Sequence, residues 1–343
     1  MSDIDIRIEG RAGRITLNRP KALNALTYDM CLAMEAAFDR WREDDAVHLI
    51  IVDAIGERAF CAGGDIADLY QQGIEGNFAY GQKFWADEYR LNHKIFTYPK
   101  PVVSFLQGFT MGGGVGVGCH GSHRIVGDSS QMAMPDWGIG LVPAVGGSPM
   151  LALAPGRLGE YLGITAARMG PADAIFAGFA DHYMPELNWP DIIEQLAQTG
   201  DTDVITKAAQ TASGGTLDSQ LDEINALFAG ESLSDILITL RHASGNFAKE
   251  ALKMITRTSP LSAACTVEMM HRLRGSALSM EKALDLEYRF TYRASEHGDF
   301  LEGIRAAIID KDRAPKWQYA DADVPLAAVA KMLQPLGAQA LKL

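Results

Sequence analysis

The chain has 343 residues, 48% of them apolar and 22% charged, with a formal net charge of −12. This size buries a substantial core in one large domain or two ordinary ones, and the composition is that of a soluble globular protein. The acidic balance sets aside nucleic acid and an anionic membrane as main partners, and no apolar run reaches the roughly 18 residues of a spanning helix. The cysteines (Cys31, Cys61, Cys119 and Cys265) are scattered without a Cys-x-x-Cys spacing, which suggests neither a disulfide framework nor a zinc site. An acidic, alternating N-terminus argues against a signal peptide, so a cytoplasmic enzyme is the default expectation.

Ile4, Ile6 and Ile8 alternate with polar residues, predicting a strand with one wet face, and Arg14–Asn18 returns as its hairpin partner. Thr27 caps a helix whose apolar positions Met30, Ala33, Met34, Ala37, Phe38 and Trp41 recur at helical spacing. His48–Val52 reads as a strand covered on both faces. A glycine turn follows at Phe60-Cys-Ala-Gly-Gly-Asp-Ile66, where Asp65 is expected to cap a helix through Leu69 and Tyr70. Residues 77–98 form one long aromatic-rich helix, ended by the Tyr98-Pro99 step. The strand Pro101–Leu106 runs into a second glycine turn at Gly112–Gly114, on what should be a helix start.

Short strands at His123–Val126 and Gln131–Met134 and a loop over Met134–Pro143 come next, then helices over Gly147–Ala154, Gly156–Ile164 and Pro171–Ala177. This alternation of strands and helices favours α/β. The character changes near residue 189, dividing the chain into 1–189 and 190–343. Residues 190–216 read as a variable connector, and helices follow at 217–228, 234–242, 246–257, 259–274, 279–295 and 299–310.

Glycine inside a helix costs roughly 1 kcal/mol relative to alanine, so the run from Gly112 to Gly118 implies that something must approach this backbone closely. A helix start offers unpaired N–H groups and partial positive charge, suited to an anion or a developing oxyanion. Two strand-to-helix glycine turns can each give one N–H to a single carbonyl oxygen. Gly116–Gly121 fits G-x-G-x-x-G literally, but that fingerprint sits directly between a strand and its helix, and here the strand ends at Leu106. His120 and His123 lack a further ligand of metal spacing and read as a packed or hydrogen-bonded pair. No G-x-S-x-G elbow is present, so a serine hydrolase lacks support. Among the carboxylates, Asp136 sits between Met-Ala-Met-Pro and Trp137, where a raised pKa is expected. Glu88 lies among Phe84, Trp85 and Tyr89.

Taken together these segments resemble the crotonase (enoyl-CoA hydratase/isomerase) superfamily. The resemblance lies in Leu17–Leu26, Ala59–Ile66, Gly108–Gly114 and Met134–Gly140. Within the superfamily the chain resembles the 3-hydroxyisobutyryl-CoA hydrolase branch, on Glu88–Asn92, Tyr98–Pro101, Val145–Gly147, Leu286–Arg289, Asp299–Ala306, Asp310–Asp312 and Pro315–Trp317.

The resemblance implies an α/β fold, a crotonase-like spiral of ββα units with a helical C-terminal region. It also implies an acyl-CoA substrate, no metal, no cofactor beyond the CoA of the substrate itself, and a homo-oligomer. By position the oxyanion donors fall on Gly64 and Gly113. The adenine is expected against Leu23, Ala25 and Ala62, and the CoA phosphates near Arg19, Lys21, Arg58, Lys311 and Lys316. Of the two glutamates with which hydratases of the superfamily add water, the first falls on Gly116, which has no side chain, and the second on Asp136. The hydrolase branch places acids at Glu88, Asp136 and Ala144. Glu88 is retained, Asp136 stands for the usual Glu with about an ångström less reach, and Ala144 stands for the usual Asp.

The expected activity is therefore hydrolysis of a short 3-hydroxyacyl-CoA thioester in branched-chain amino-acid breakdown. Asp136 would act as base or nucleophile, with Glu88 holding the substrate hydroxyl or the water. A hydratase or isomerase of the same fold, and a catalytically weak CoA-binding protein, are the alternatives.

Overall fold

A computed structural model describes residues 2–275, 277–320 and 323–343. Its strands are β1 (Ile4–Glu9), β2 (Ala12–Leu17), β3 (Leu49–Ala54), β4 (Ala59–Cys61), β5 (Val102–Phe105), β6 (Phe109–Met111), β7 (His123–Val126), β8 (Gln131–Ala133) and β9 (His182–Tyr183). They form a six-stranded sheet in the order β1-β2-β3-β5-β7-β9 and a three-stranded sheet in the order β4-β6-β8. The β1–β2 hairpin is antiparallel, in the register Ile4 to Leu17, and every later pairing is parallel.

In three successive passes (β3 then β4, β5 then β6, β7 then β8) the first strand joins the large sheet and the second the small one. Each pass then enters helical structure, at Ala67–Ile74, at Gly113–Gly118 and at the 3₁₀ turn Asp136–Ile139. This is the expected ββα repeat.

The chain divides into two compact units made of interleaved segments, whereas composition along the chain changes near residue 189. One unit holds Met1–Asp65, Arg90–Ala133 and Arg168–Asp218. It contains all nine strands. Residues 49–52 are wholly buried because both faces of the large sheet are covered. On one face, Trp41 of the Tyr28–Arg42 helix lies where a Cβ at Gly13 would run into its indole. On the other, Trp189, Ile192 and Leu196 pack against Leu49, Ile51, Val103 and Phe105, with Trp189 and Phe105 ring centroids 5.3 Å apart.

Those residues belong to a helix, Trp189–Thr199, followed by another at Asp203–Ala208. The expected connector over 190–216 is thus helical in its first part, and residues 211–216 are its longest stretch without regular structure. The apolar stripe was there in the sequence, but interleaved Asp191, Glu194 and Gln195 masked it.

The second unit holds Ile66–Tyr89, Met134–Ala167 and Ser219–Leu343. It is helical, and three of its helices begin where a serine caps them. Ser232 makes a capping box with Asp235, Ser259 accepts from Ser262, and Ser279 accepts from Lys282. Ser259 also donates to the buried Asp299 at 2.6 Å, which ties the start of Pro260–Leu273 to the start of Phe300–Ile304. Trp85 packs on Phe300 at 5.4 Å, and Tyr161 packs on Phe228 at 5.3 Å. The last predicted helix, 299–310, is α-helical to Ile304 and π-helical over Arg305–Ile309. A C-terminal helix at Leu326–Leu333 is one the sequence reading did not anticipate. No helix among the described residues is long and apolar enough to cross a membrane.

Candidate active site

The two glycine turns lie together in the strand-bearing unit. A Cβ at Gly114 would overlap the Cys61 carbonyl at the end of β4, and one at Gly63 would meet the Met111 carbonyl oxygen at 3.7 Å. Gly112 adopts φ +48 and Gly63 φ +124, conformations that side chains disfavour. The glycines therefore serve two local needs, left-handed backbone at the turn and close approach of the chain that follows β6 to the end of β4.

The amides of these turns divide into used and unused. Gly64 forms a parallel bridge with Leu26 in which Leu26 N–H donates to Gly63 at 2.9 Å and Asp65 N–H to the Leu26 carbonyl at 2.8 Å. That pattern engages the groups flanking Gly64 and leaves its own N–H outside the ladder. Gly113 is the first residue of its helix, where an N–H has no intrahelical acceptor. These two amides are the ones the sequence singled out.

Leu23 and Ala25 are brought beside them, since Ala62 N–H donates to the Leu23 carbonyl at 3.0 Å. Leu23 and Asn24 are both left-handed, with φ 52 and φ 55. The buried Asn24 side chain holds that shape by donating to the Ile55 and Ala59 carbonyls at 3.0 and 2.9 Å. Asp65 is not a helix cap as expected. The Ala67–Ile74 helix has Ile66 at its cap, and Asp65 pairs with Arg19 at 2.9 Å. Arg19 also donates to the Ala25 carbonyl at 2.6 Å, so its charge is committed within this turn. Lys21, Arg58, Lys311 and Lys316 are exposed. Gly116 contributes its carbonyl, which accepts the buried Asn92 amide at 3.0 Å.

The helical unit holds the acids. Glu88 is 3% exposed on the Phe78–Phe96 helix, and burial pushes its carboxyl up to about 8, with the charges of Asp136 and Glu287 adding to the rise. Asp136 opens the 3₁₀ turn after Pro135. Burial raises it to about 7, and its Oδ2 is buried without a hydrogen-bond partner.

Glu287, on the Met280–His297 helix, is a third acid that sequence reasoning did not place in the site. It is fully buried and accepts the N–H groups of Gly146 and Ser148, at 2.8 and 3.0 Å, and the Ser148 hydroxyl. Burial lifts it to about 8 despite those bonds, and the Asp136 charge adds to the lift. Its signal in the sequence was a glutamate on an apolar helix face formed by Ala283, Leu284, Phe290, Thr291 and Ala294.

Among the described residues none of the three acids has an ion-pair partner, so no cation offsets the rise that burial gives each carboxyl. Ala144 is buried in the loop that Glu287 holds, and it supplies no acid. His123 stacks on His182 with centroids 6.1 Å apart and bonds Ser122, and it has no part in this cluster.

Parallel strands delivered to two sheets, with paired glycine turns beside them, define the class first: this is the fold of the acyl-CoA enzymes of the crotonase type. A solved structure described as an enoyl-CoA hydratase from Rhodobacter sphaeroides 2.4.1 matches with TM-score 0.95 and 54% identity over 100% of both chains. One described as a carnitinyl-CoA dehydratase from Mycobacterium thermoresistibile matches with TM-score 0.93 and 38% identity, covering 98% of this chain and 97% of that one. The family model for enoyl-CoA hydratase/isomerase matches residues 12–333, and the chain belongs to that family.

The 3-hydroxyisobutyryl-CoA hydrolase of Xenopus tropicalis is 38% identical over 320 residues, which is 90% of this chain and 82% of that protein. The curated relatives are named as mitochondrial, and this overturns the cytoplasmic expectation. That expectation rested on an alternating acidic start, which reports a half-wet β-strand and nothing about location.

Proposed function

We propose that the chain hydrolyses a short-chain 3-hydroxyacyl-CoA thioester, 3-hydroxyisobutyryl-CoA first among them, to the free acid and CoA, in the breakdown of valine. The observation that carries this reading is Asp136, a carboxyl raised to about 7 whose Oδ2 has no protein partner. A base with a pKa near the working pH combines a useful ionised fraction with a useful proton affinity.

In this mechanism the Asp136 carboxylate takes a proton from water as the water oxygen bonds to the thioester carbon. Charge moves onto the carbonyl oxygen, which the Gly64 and Gly113 N–H groups stabilise more in the transition state than in the ground state. The C–S bond then breaks, and the proton held by Asp136 returns to the CoA sulfur. Attack by Asp136 itself, through a mixed anhydride, uses the same residue. Glu88 is neutral at pH 7 when its carboxyl is raised to about 8, and a neutral carboxyl can donate a hydrogen bond to the substrate hydroxyl or to the water. Leu23, Ala25 and Ala62 would receive the adenine and Arg58 a phosphate. CoA enters as part of the substrate, and no metal or further cofactor takes part.

A hydratase reading is favoured by one observation. Glu88 and Glu287 give Asp136 acidic neighbours of a kind that Gly116 cannot provide. The two are separated by following thiol release from 3-hydroxyisobutyryl-CoA and loss of the conjugated thioester absorbance of crotonyl-CoA, with Asp136→Asn as control. Thiol release above the control supports hydrolysis. Crotonyl-CoA hydration without thiol release replaces it with the second reading.

A further inference from the structure

A cavity of about 680 Å³ opens in the helical unit, with Gly138, Thr256, Arg257, Ala306, Arg313 and Trp317 in its lining. That volume lies within the roughly 300–1,000 Å³ of small-molecule sites. Two arginines and no carboxylate line it, in a chain whose net charge is −12. Among the described residues neither Arg257 nor Arg313 has an ion-pair or side-chain hydrogen-bond partner.

The reason Arg313 stays unpaired is local. Arg305 gathers the neighbouring acids, pairing with Glu302 at 2.8 Å and with Asp310 and Asp312 at 2.7 Å each. It also donates to the Ala314 carbonyl at 3.2 Å. Lys311 and Arg313 both have left-handed backbone, φ 56 and φ 54, a conformation non-glycine residues adopt only where their surroundings impose it. The Arg313 N–H is held by the Ala306 carbonyl at 3.1 Å. A strained loop, fixed by one arginine, thus sets a second arginine in the cavity wall.

We propose that this cavity is an anion subsite for a phosphate or diphosphate group, gripped by Arg257 and Arg313 with Trp317 as an apolar wall. Guanidinium forks match phosphate oxygens in geometry, and each unpaired fork is already free of a competing carboxylate. The phosphate belongs either to the CoA of the substrate, in which case the inference rests on the acyl-CoA reading above, or to a separate organic phosphate.

The test titrates inorganic diphosphate calorimetrically into the full-length protein and into an Arg257→Gln/Arg313→Asn variant. Asparagine is chosen at 313 because it tolerates left-handed backbone. Arg313→Lys keeps the charge, and thermal melts check that each variant is folded. KM is measured in parallel for an acyl-CoA and for the matching acyl-pantetheine, which lacks the nucleotide.

The double variant is expected to weaken diphosphate binding by roughly tenfold or more, with Arg313→Lys in between. If the phosphate is that of CoA, the double variant raises KM for the CoA thioester alone, and saturating CoA displaces diphosphate. If it is a separate ligand, diphosphate still binds beside saturating CoA, and KM does not move. A folded double variant equal to wild type in both assays overturns the subsite. Arginine-dependent diphosphate binding in a protein that hydrolyses no thioester leaves the subsite standing and removes the proposed function instead.

Discussion

The Glu287 carboxylate accepts the Gly146 N–H at 2.8 Å across 141 positions of sequence, and its other oxygen takes the Ser148 N–H at 3.0 Å. Gly146 and Val145 are both left-handed, φ 79 and φ 54, so this carboxylate holds a strained turn at the start of the Gly147–Leu153 helix. Exchanging Glu287 for Gln keeps one oxygen but turns an NH₂ group towards an N–H donor. We expect Glu287→Gln to lose about 1–3 kcal/mol of stability, because a buried donor is left unsatisfied. Urea denaturation reads this directly, and an unchanged midpoint would show that the turn does not depend on the carboxylate.

The three acids with raised carboxyls predict an unusual dependence of stability on pH. Folding raises Glu88 and Glu287 from 4.5 to about 8 and Asp136 from 3.8 to about 7. The folded chain therefore keeps protons that the unfolded chain releases, and their stabilising contribution is lost as pH rises through that interval. Glu35 and Asp181 are lowered by Arg90 and Arg124 and act oppositely, losing their contribution as pH falls. The urea midpoint should fall between about pH 6 and about pH 8, and a Glu88→Gln/Asp136→Asn variant should flatten that fall. A wild-type midpoint that climbs over this range would contradict the assignment.

Activity should move with pH in the other sense. The proposed base role needs Asp136 ionised, so turnover of the thioester is expected to rise through about pH 7, where its proton leaves. Asp136→Asn removes this limb and lowers kcat by roughly 10²–10⁴-fold. A full-rate Asn variant would take Asp136 out of the chemistry.

Gly114 offers a steric test of the paired turns. Gly114→Ala forces its Cβ into the Cys61 carbonyl, so the start of the glycine helix must shift away from β4. Overpacking of this kind costs about 1–3 kcal/mol, and displacing Gly113 as the proposed oxyanion donor is expected to cost roughly 10²–10³ in kcat. Gly170→Ala is the control, since nothing lies within 4 Å of its added Cβ and its φ is −74. Equal kcat for both variants would detach the glycine run from catalysis.

Much of this was legible in the chain itself. Alternation at Ile4–Glu9, the apolar run before Asp53 and the glycine turns at Gly63 and Gly112 set the strands and the sites where backbone must approach backbone. These signals are local, written by the two-residue strand period, the helix period and the permitted φ of glycine. The motifs around Gly64, Gly113, Glu88 and Asp136 likewise drew attention to residues that the fold places in glycine turns and in an acid cluster.

What the tertiary structure alone decided is of another kind. It drew Glu287 to Gly146, laid Trp189 and Leu196 on the large sheet, and let Arg305 absorb Asp310 and Asp312 so that Arg313 was left unpaired among the described residues. Each depends on which charge or apolar surface meets which across a folded distance. No period or spacing along the chain encodes that meeting, because burial and pairing energies exist only once the partners are brought together.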